Sequence, residues 1–214
     1  MRRFVCLSLL CFVLALPLVA QQVTPSPAPP PVTPTPAEFE RAADEVLEEV
    51  SKLIALPVKA PLKKSIRTSD EIRQFVVRQM EEDREPAKRR ADRLVLEKFG
   101  LIPRGFDLDA FLVELLTEQI AGLYDPKQHE FFIADWIEVE EQRMVMAHEL
   151  VNALHDQHFD LEKWIHAAKP NDDALLARDA VVEGAALGGM FDYMLRDLKL
   201  QVRELPDMQT VMQR

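Results

Sequence analysis

Met144-Val145-Met146-Ala147-His148-Glu149-Leu150-Val151-Asn152-Ala153-Leu154-His155-Asp156-Gln157-His158 is the stretch on which the reading of this chain turns. Its apolar residues recur at helical spacing, and the pattern predicts a helix from Ile137 to about Phe159. Met146, Ala147, Leu150, Ala153 and Leu154 make the apolar back of that helix. Set into it is the pair His148-Glu149, with Asn152 one turn further on.

A helix that holds zinc for hydrolysis carries two histidines four residues apart. That is roughly 6 Å of rise, so both imidazoles meet one ion. A Glu beside the first histidine then reaches a metal-bound water, whose pKa the zinc has lowered, and takes its proton. Here His148 and Glu149 fill the first two positions, and Asn152 stands where the second histidine belongs. A carboxamide oxygen is a poorer zinc ligand than an imidazole. By itself a His-Glu pair on a helix carries little weight, and a hydrogen-bonded histidine in a polar cluster is the alternative.

The flanking sequence adds to it. Upstream, apolar runs around Leu123-Tyr124 and Phe131-Phe132-Ile133 flank Asp125-Pro126-Lys127-Gln128, which predicts a β-hairpin. Downstream, Asn171-Asp172-Asp173 caps a long final helix running towards Leu205-Pro206. That helix carries Asp179-Ala180-Val181-Val182-Glu183-Gly184-Ala185-Ala186. A Glu followed by small residues suits a third ligand, because small neighbours let two helices approach closely. Pairing of Glu183 with Arg178, or a place in a buried polar network, is the plainer alternative.

Taken together, Ala121-Gly122-Leu123-Tyr124-Asp125-Pro126, the run His148 to Leu161 (HELVNALHDQHFDL) and Val182-Glu183-Gly184-Ala185-Ala186 resemble a bacterial group of gluzincin-like metallopeptidases. With the helices from about Ser69, the resemblance covers some two thirds of the chain. It implies a zincin-like domain, zinc as cofactor and a peptide or protein as substrate. It implies His148 as a metal ligand, Glu149 as general base and Glu183 as third ligand, with Asn152 at the degenerate ligand position. His155 stands where the pattern has Gln, and Leu187 where a thermolysin-like relative has Asp. His158, ten residues after His148, has the spacing of a third metzincin ligand and competes with Glu183 for that role. His155 is about 10.5 Å from His148 along the helix axis.

Earlier in the chain, Thr35-Pro36-Ala37-Glu38 is a capping box with proline at the first helical position. Phe39, Ala43, Val46, Leu47, Val50, Leu53 and Ile54 follow at helical spacing until Pro57 and Pro61. A second helix begins at Thr68-Ser69-Asp70-Glu71, restarts or kinks at Pro86 and stops at Gly100. A third begins at Asp107. Arg84, Lys88, Arg89, Arg90 and Arg93 cluster among Glu81, Glu82, Glu85 and Asp92. They read as a solvated helix face with local ion pairs, anion binding being the alternative.

Residues 1–20, with Arg2-Arg3, an apolar run from Phe4 to Val19 and Leu18-Val19-Ala20, are expected to be a cleaved signal peptide, a retained anchor being the alternative. Residues 21–36 are a proline-rich linker, and 37–214 the folded domain. Cys6 and Cys11 are the only cysteines. A metal site in the mature chain therefore draws on His, Asp, Glu or Asn. Little chain follows Glu183 for a lower subdomain, so a continuation past Arg214 stays open. A net charge of −10 argues against a nucleic-acid partner, and no stable membrane span is expected after signal cleavage.

The fold class expected is α+β, mostly helical, with a β-hairpin or small sheet before the His148 helix. The location expected is secreted or periplasmic. Two function classes follow: a zinc endopeptidase, impaired by Asn152, or a non-catalytic relative that binds peptide or protein in the retained cleft.

Overall fold

A computed structural model describes residues 35–83 and 86–205. The expected leader with its two cysteines, the linker before Thr35, Arg84, Glu85 and everything from Pro206 lie outside those residues. The described chain is mostly helical with one small mixed sheet, so the α+β expectation holds.

Strand β3 (Glu130–Ala134) organises the rest, because all five of its residues are buried. Phe131 and Ile133 point to one face of the sheet, Phe132 and Ala134 to the other. Such a strand reads as a continuous apolar run because both faces are covered. Strand β2 (Gly122–Asp125) pairs antiparallel with it as the expected hairpin, with Tyr124 opposite Phe131. Strand β1 (Lys63–Arg67) pairs parallel on its other side, giving the order β1-β3-β2.

β1 was not foreseen. Its sequence, Lys-Lys-Ser-Ile-Arg, has almost no apolar signal, and its place is set by charge. Lys63 Nζ, Ser65 Oγ and Arg67 donate to the buried Glu130 carboxylate at 2.9, 2.7 and 3.0 Å. Lys63, Ser65 and Arg67 alternate along the strand, so they share one face. Burial alone would raise the Glu130 pKa, but these three donors outweigh it and hold the carboxyl below its ordinary value.

On one side of the sheet lie helices α1 (Pro36–Leu53), α5 (Val139–Phe159) and α7 (Asp172–Leu195), whose buried side chains form the main core. The other side is covered by α2 (Ser69–Asp83) and α4 (Leu108–Gln119), through Ile72, Phe75, Val76, Val113 and Leu116. The predicted caps are present. Thr35 Oγ1 accepts from the Glu38 N–H at 3.3 Å while Glu38 accepts from the Thr35 N–H at 3.0 Å. Asp107 and Asn171 cap α4 and α7 by the one-way bond alone, accepting from the Ala110 and Ala174 N–H groups.

Two helical boundaries differ from expectation. Asp160, with φ of 53°, ends α5 and then caps a short further helix, α6 (Leu161–His166), by accepting from the Lys163 N–H. The final helix stops at Leu195 instead of running to Leu205. Two 3-10 turns follow it, and the Asp192 carboxylate, accepting from the Val202 N–H at 2.7 Å, folds that tail back.

Candidate functional site

Helix α5 is buried on nearly every side through its middle, with every residue from Met146 to Leu154 inside. Its polar residues there are therefore obliged to find partners within the protein. His148, Glu149 and Asn152 are 3%, 4% and 5% exposed.

His148 meets Glu183. Its Nε2 lies 3.1 Å from Glu183 Oε2, and the Glu183 side chain is 22% exposed. So the structure joins the two groups that the sequence paired across a 35-residue separation. Burial pulls the imidazole pKa down. The hydrogen bond to Glu183 and the charges of Glu149 and Glu183 more than offset that, and the ring is held above its ordinary value.

Glu149 lies deeper. Burial pushes its carboxyl up to about 7, against the opposing pull of His148 and of hydrogen bonds from the Tyr124 N–H and the Asn152 amide. The Tyr124 N–H donates to Glu149 Oε2 at 2.9 Å. Strand β2 thus presents its outer edge to α5. A Cβ built at Gly122 would lie 3.2 Å from Val145 Cγ1. That edge of β2 is therefore occupied by α5.

Asn152 bonds to Glu149 from the position where a second histidine was expected. Its amide donates to Glu149, while its Oδ1 and the Nδ1 of His148 find no hydrogen-bond partner among the described residues. Neither later histidine joins the cluster. His158 Nε2 donates to the Pro57 carbonyl at 2.8 Å. His155 lies tilted against the Phe159 ring, with its pKa lowered by burial and by the charge of His158. Arg178 lies over the Trp164 ring and bonds the Trp164 carbonyl, so it is engaged elsewhere.

The small residues after Glu183 do not act as expected. Gly184 and Ala185 are exposed, and a Cβ at Gly184 would meet nothing within 4 Å. The close approach of α7 to α5 is made by Ala186, fully buried, and by Gly189, where a Cβ would fall 2.7 Å from Val151 Cγ2.

A residue that went unread lies next to the cluster. His129 closes the hairpin with φ of 48°, and its Nδ1 lies 3.0 Å from Asp156 Oδ2. The Tyr124 hydroxyl donates to the same oxygen at 2.7 Å, and the Leu161 N–H to Asp156 Oδ1 at 2.9 Å. Burial and then the Asp156 carboxylate raise the Tyr124 hydroxyl pKa. The network ties hairpin, α5 and α6 together. The one available signal was an imidazole at a turn position that usually takes Gly or Asn.

The donor set does not suit resident zinc. Structural and catalytic zinc sites take at least three strong protein ligands. Here one imidazole and one carboxylate converge, and the third position offers an amide already bonded to Glu149. Among the described residues no group of three or more His, Cys, Asp or Glu is placed to hold a metal ion. Where a cleft was expected, His148, Glu149 and Asn152 are nearly inaccessible and Glu183 is part-exposed. Comparison of the chain with protein-family models, with characterised proteins and with solved structures finds no match in any of the three.

Proposed function

We propose that this chain is a zincin-type, metallopeptidase-like protein that no longer hydrolyses peptides and serves as a binding partner of peptide or protein. The motif resemblance supports the ancestry, as does the hairpin packed before the His148 helix. One observation carries the loss of catalysis. The side chain at position 152 donates to Glu149, so it restrains the would-be base where a second imidazole would have to bind metal. The cluster then serves as a buried ion-pair and hydrogen-bond network joining α5, α7 and β2. In that role partial satisfaction is costly and a fixed geometry is the gain.

A second reading, an active zinc endopeptidase, has one observation in its favour. Two donors sharing a tetrahedral zinc at 2.0–2.1 Å stand about 3.3 Å apart. His148 Nε2 and Glu183 Oε2 stand 3.1 Å apart.

Metal analysis and a hydrolysis assay separate the two. Purified wild type, dialysed against zinc, is expected to retain far less than a stoichiometric amount and to leave an unstructured protein substrate intact. Asn152→His is expected to raise bound zinc towards stoichiometry. Stoichiometric zinc in the wild type, together with hydrolysis that Glu149→Gln abolishes, would overturn the proposal in favour of the endopeptidase.

A further inference from the structure

Helix α3 (Pro86–Lys98) is the one α-helix among those described without a single buried residue. Its half-buried side is polar and charged apart from Leu96, and includes Lys88, Arg89, Asp92 and Glu97. Its exposed residues are Pro86, Ala87, Arg90, Ala91, Arg93, Leu94, Val95 and Lys98, apolar side chains with three cations among them. Ala87, Ala91, Leu94 and Val95 lie on the exposed face, a placement consistent with 100° per residue. Phe99 and Leu101 extend that surface into the following turn at 78% and 70% exposure. An amphipathic helix normally turns such a stripe to the core. Contiguous exposed apolar surface of this kind marks an interaction site.

The charges around the stripe identify the partner. Residues 86–105 hold six basic and two acidic side chains in a chain of net charge −10. Arg90, Lys98 and Arg104, all exposed, make no ion pair among the described residues. Arg89 pairs only loosely with Asp109, at 3.6 Å. Pro86, Arg89, Arg90, Arg93, Asp107 and Asp109 line a cavity of about 170 Å³. Guanidinium groups grip phosphate through paired N–H donors.

We propose that α3 and the turn after it dock on the surface of an anionic phospholipid membrane. Leu94, Val95, Phe99 and Leu101 would enter the acyl boundary, and Arg90, Lys98 and Arg104 would lie among the headgroups. Apolar side chains rimmed by cations are the composition of an interfacial helix, and anionic leaflets attract such cations. A second copy of the chain is disfavoured because like-charged rims would meet.

Vesicle sedimentation of the whole chain tests this. Vesicles of phosphatidylcholine mixed with phosphatidylglycerol are expected to bind wild type about tenfold or more above phosphatidylcholine alone, with the difference lost at high salt. The double charge reversal Arg90→Glu/Lys98→Glu and, separately, Phe99→Ser/Leu101→Ser are each expected to reduce binding about tenfold. The substituted positions are exposed, and circular dichroism checks that the fold survives. Hydrogen exchange locates the contact: amides of 88–105 slow on anionic vesicles in the wild type alone. Equal binding to neutral and anionic vesicles, binding that ignores both double variants, or protection confined to other segments would overturn the proposal. Concentration-dependent dimerisation lost in Phe99→Ser/Leu101→Ser would also overturn it and assign the face to a second copy.

Discussion

Glu149 is the residue in which burial and chemistry conflict most. A carboxyl held at about 7 in the folded state titrates at about 4.3 once unfolded. The folded form therefore binds the proton more tightly, and stability falls as pH rises between those two values. His148, raised above its ordinary value, works in the same direction, since its contribution is present at low pH and lost as pH rises through its folded pKa. Glu149→Gln removes the first of these penalties. Its amide can donate to Asn152 Oδ1, which finds no partner among the described residues in the wild type. The variant is expected to match wild type near pH 4 and to exceed it by on the order of 3 kcal/mol near pH 8. Urea denaturation across that range measures it, and a gap independent of pH would contradict the assignment.

Among the elements, the contact of α7 with α5 places Glu183 beside His148, and it depends on Gly189. In a helix, Ala outranks Gly by about 1 kcal/mol. At Gly184, where a Cβ meets nothing within 4 Å, Gly184→Ala is expected to stabilise by about that amount. At Gly189 the new methyl would sit 2.7 Å from Val151 Cγ2 and 3.3 Å from Ile54 Cγ2. Overpacking a core costs about 1–3 kcal/mol, so Gly189→Ala is expected to lose more than the propensity gain. Paired denaturant melts of the two variants, shifting in opposite directions, are the expected outcome. The contrast was hidden in the sequence, where the small residues next to Glu183 drew attention and Gly189, six positions on, did not.

For the whole molecule, stability is graded outward from the sheet. β3 and the middle of α5 are buried on all sides, whereas α3 contributes no buried side chain. Few buried contacts mean low-energy local opening. Amide exchange is expected to be fastest over 88–98 among the α-helices and slowest over 131–133 and 147–154, the latter set opening only with global unfolding. Exchange of α3 as slow as α5 would contradict that gradient. The same gradient frees α3 to dock elsewhere without disturbing the core.

The sequence by itself determined the elements that announce themselves locally: the capping boxes, the helical periodicity of α1, α2, α4 and α5, and the hairpin around Asp125-Pro126. Those signals lie in side-chain pattern and turn chemistry, which act over a few residues. Only the tertiary structure decided that Lys63–Arg67 is a strand, because ion pairs to Glu130, 63 to 67 positions away, hold it there. Only the tertiary structure decided that His148 and Glu149 are nearly inaccessible, that Asn152 bonds Glu149, and that Leu94 and Val95 of α3 are exposed. Burial is a property of what packs against a residue, and no local pattern encodes it.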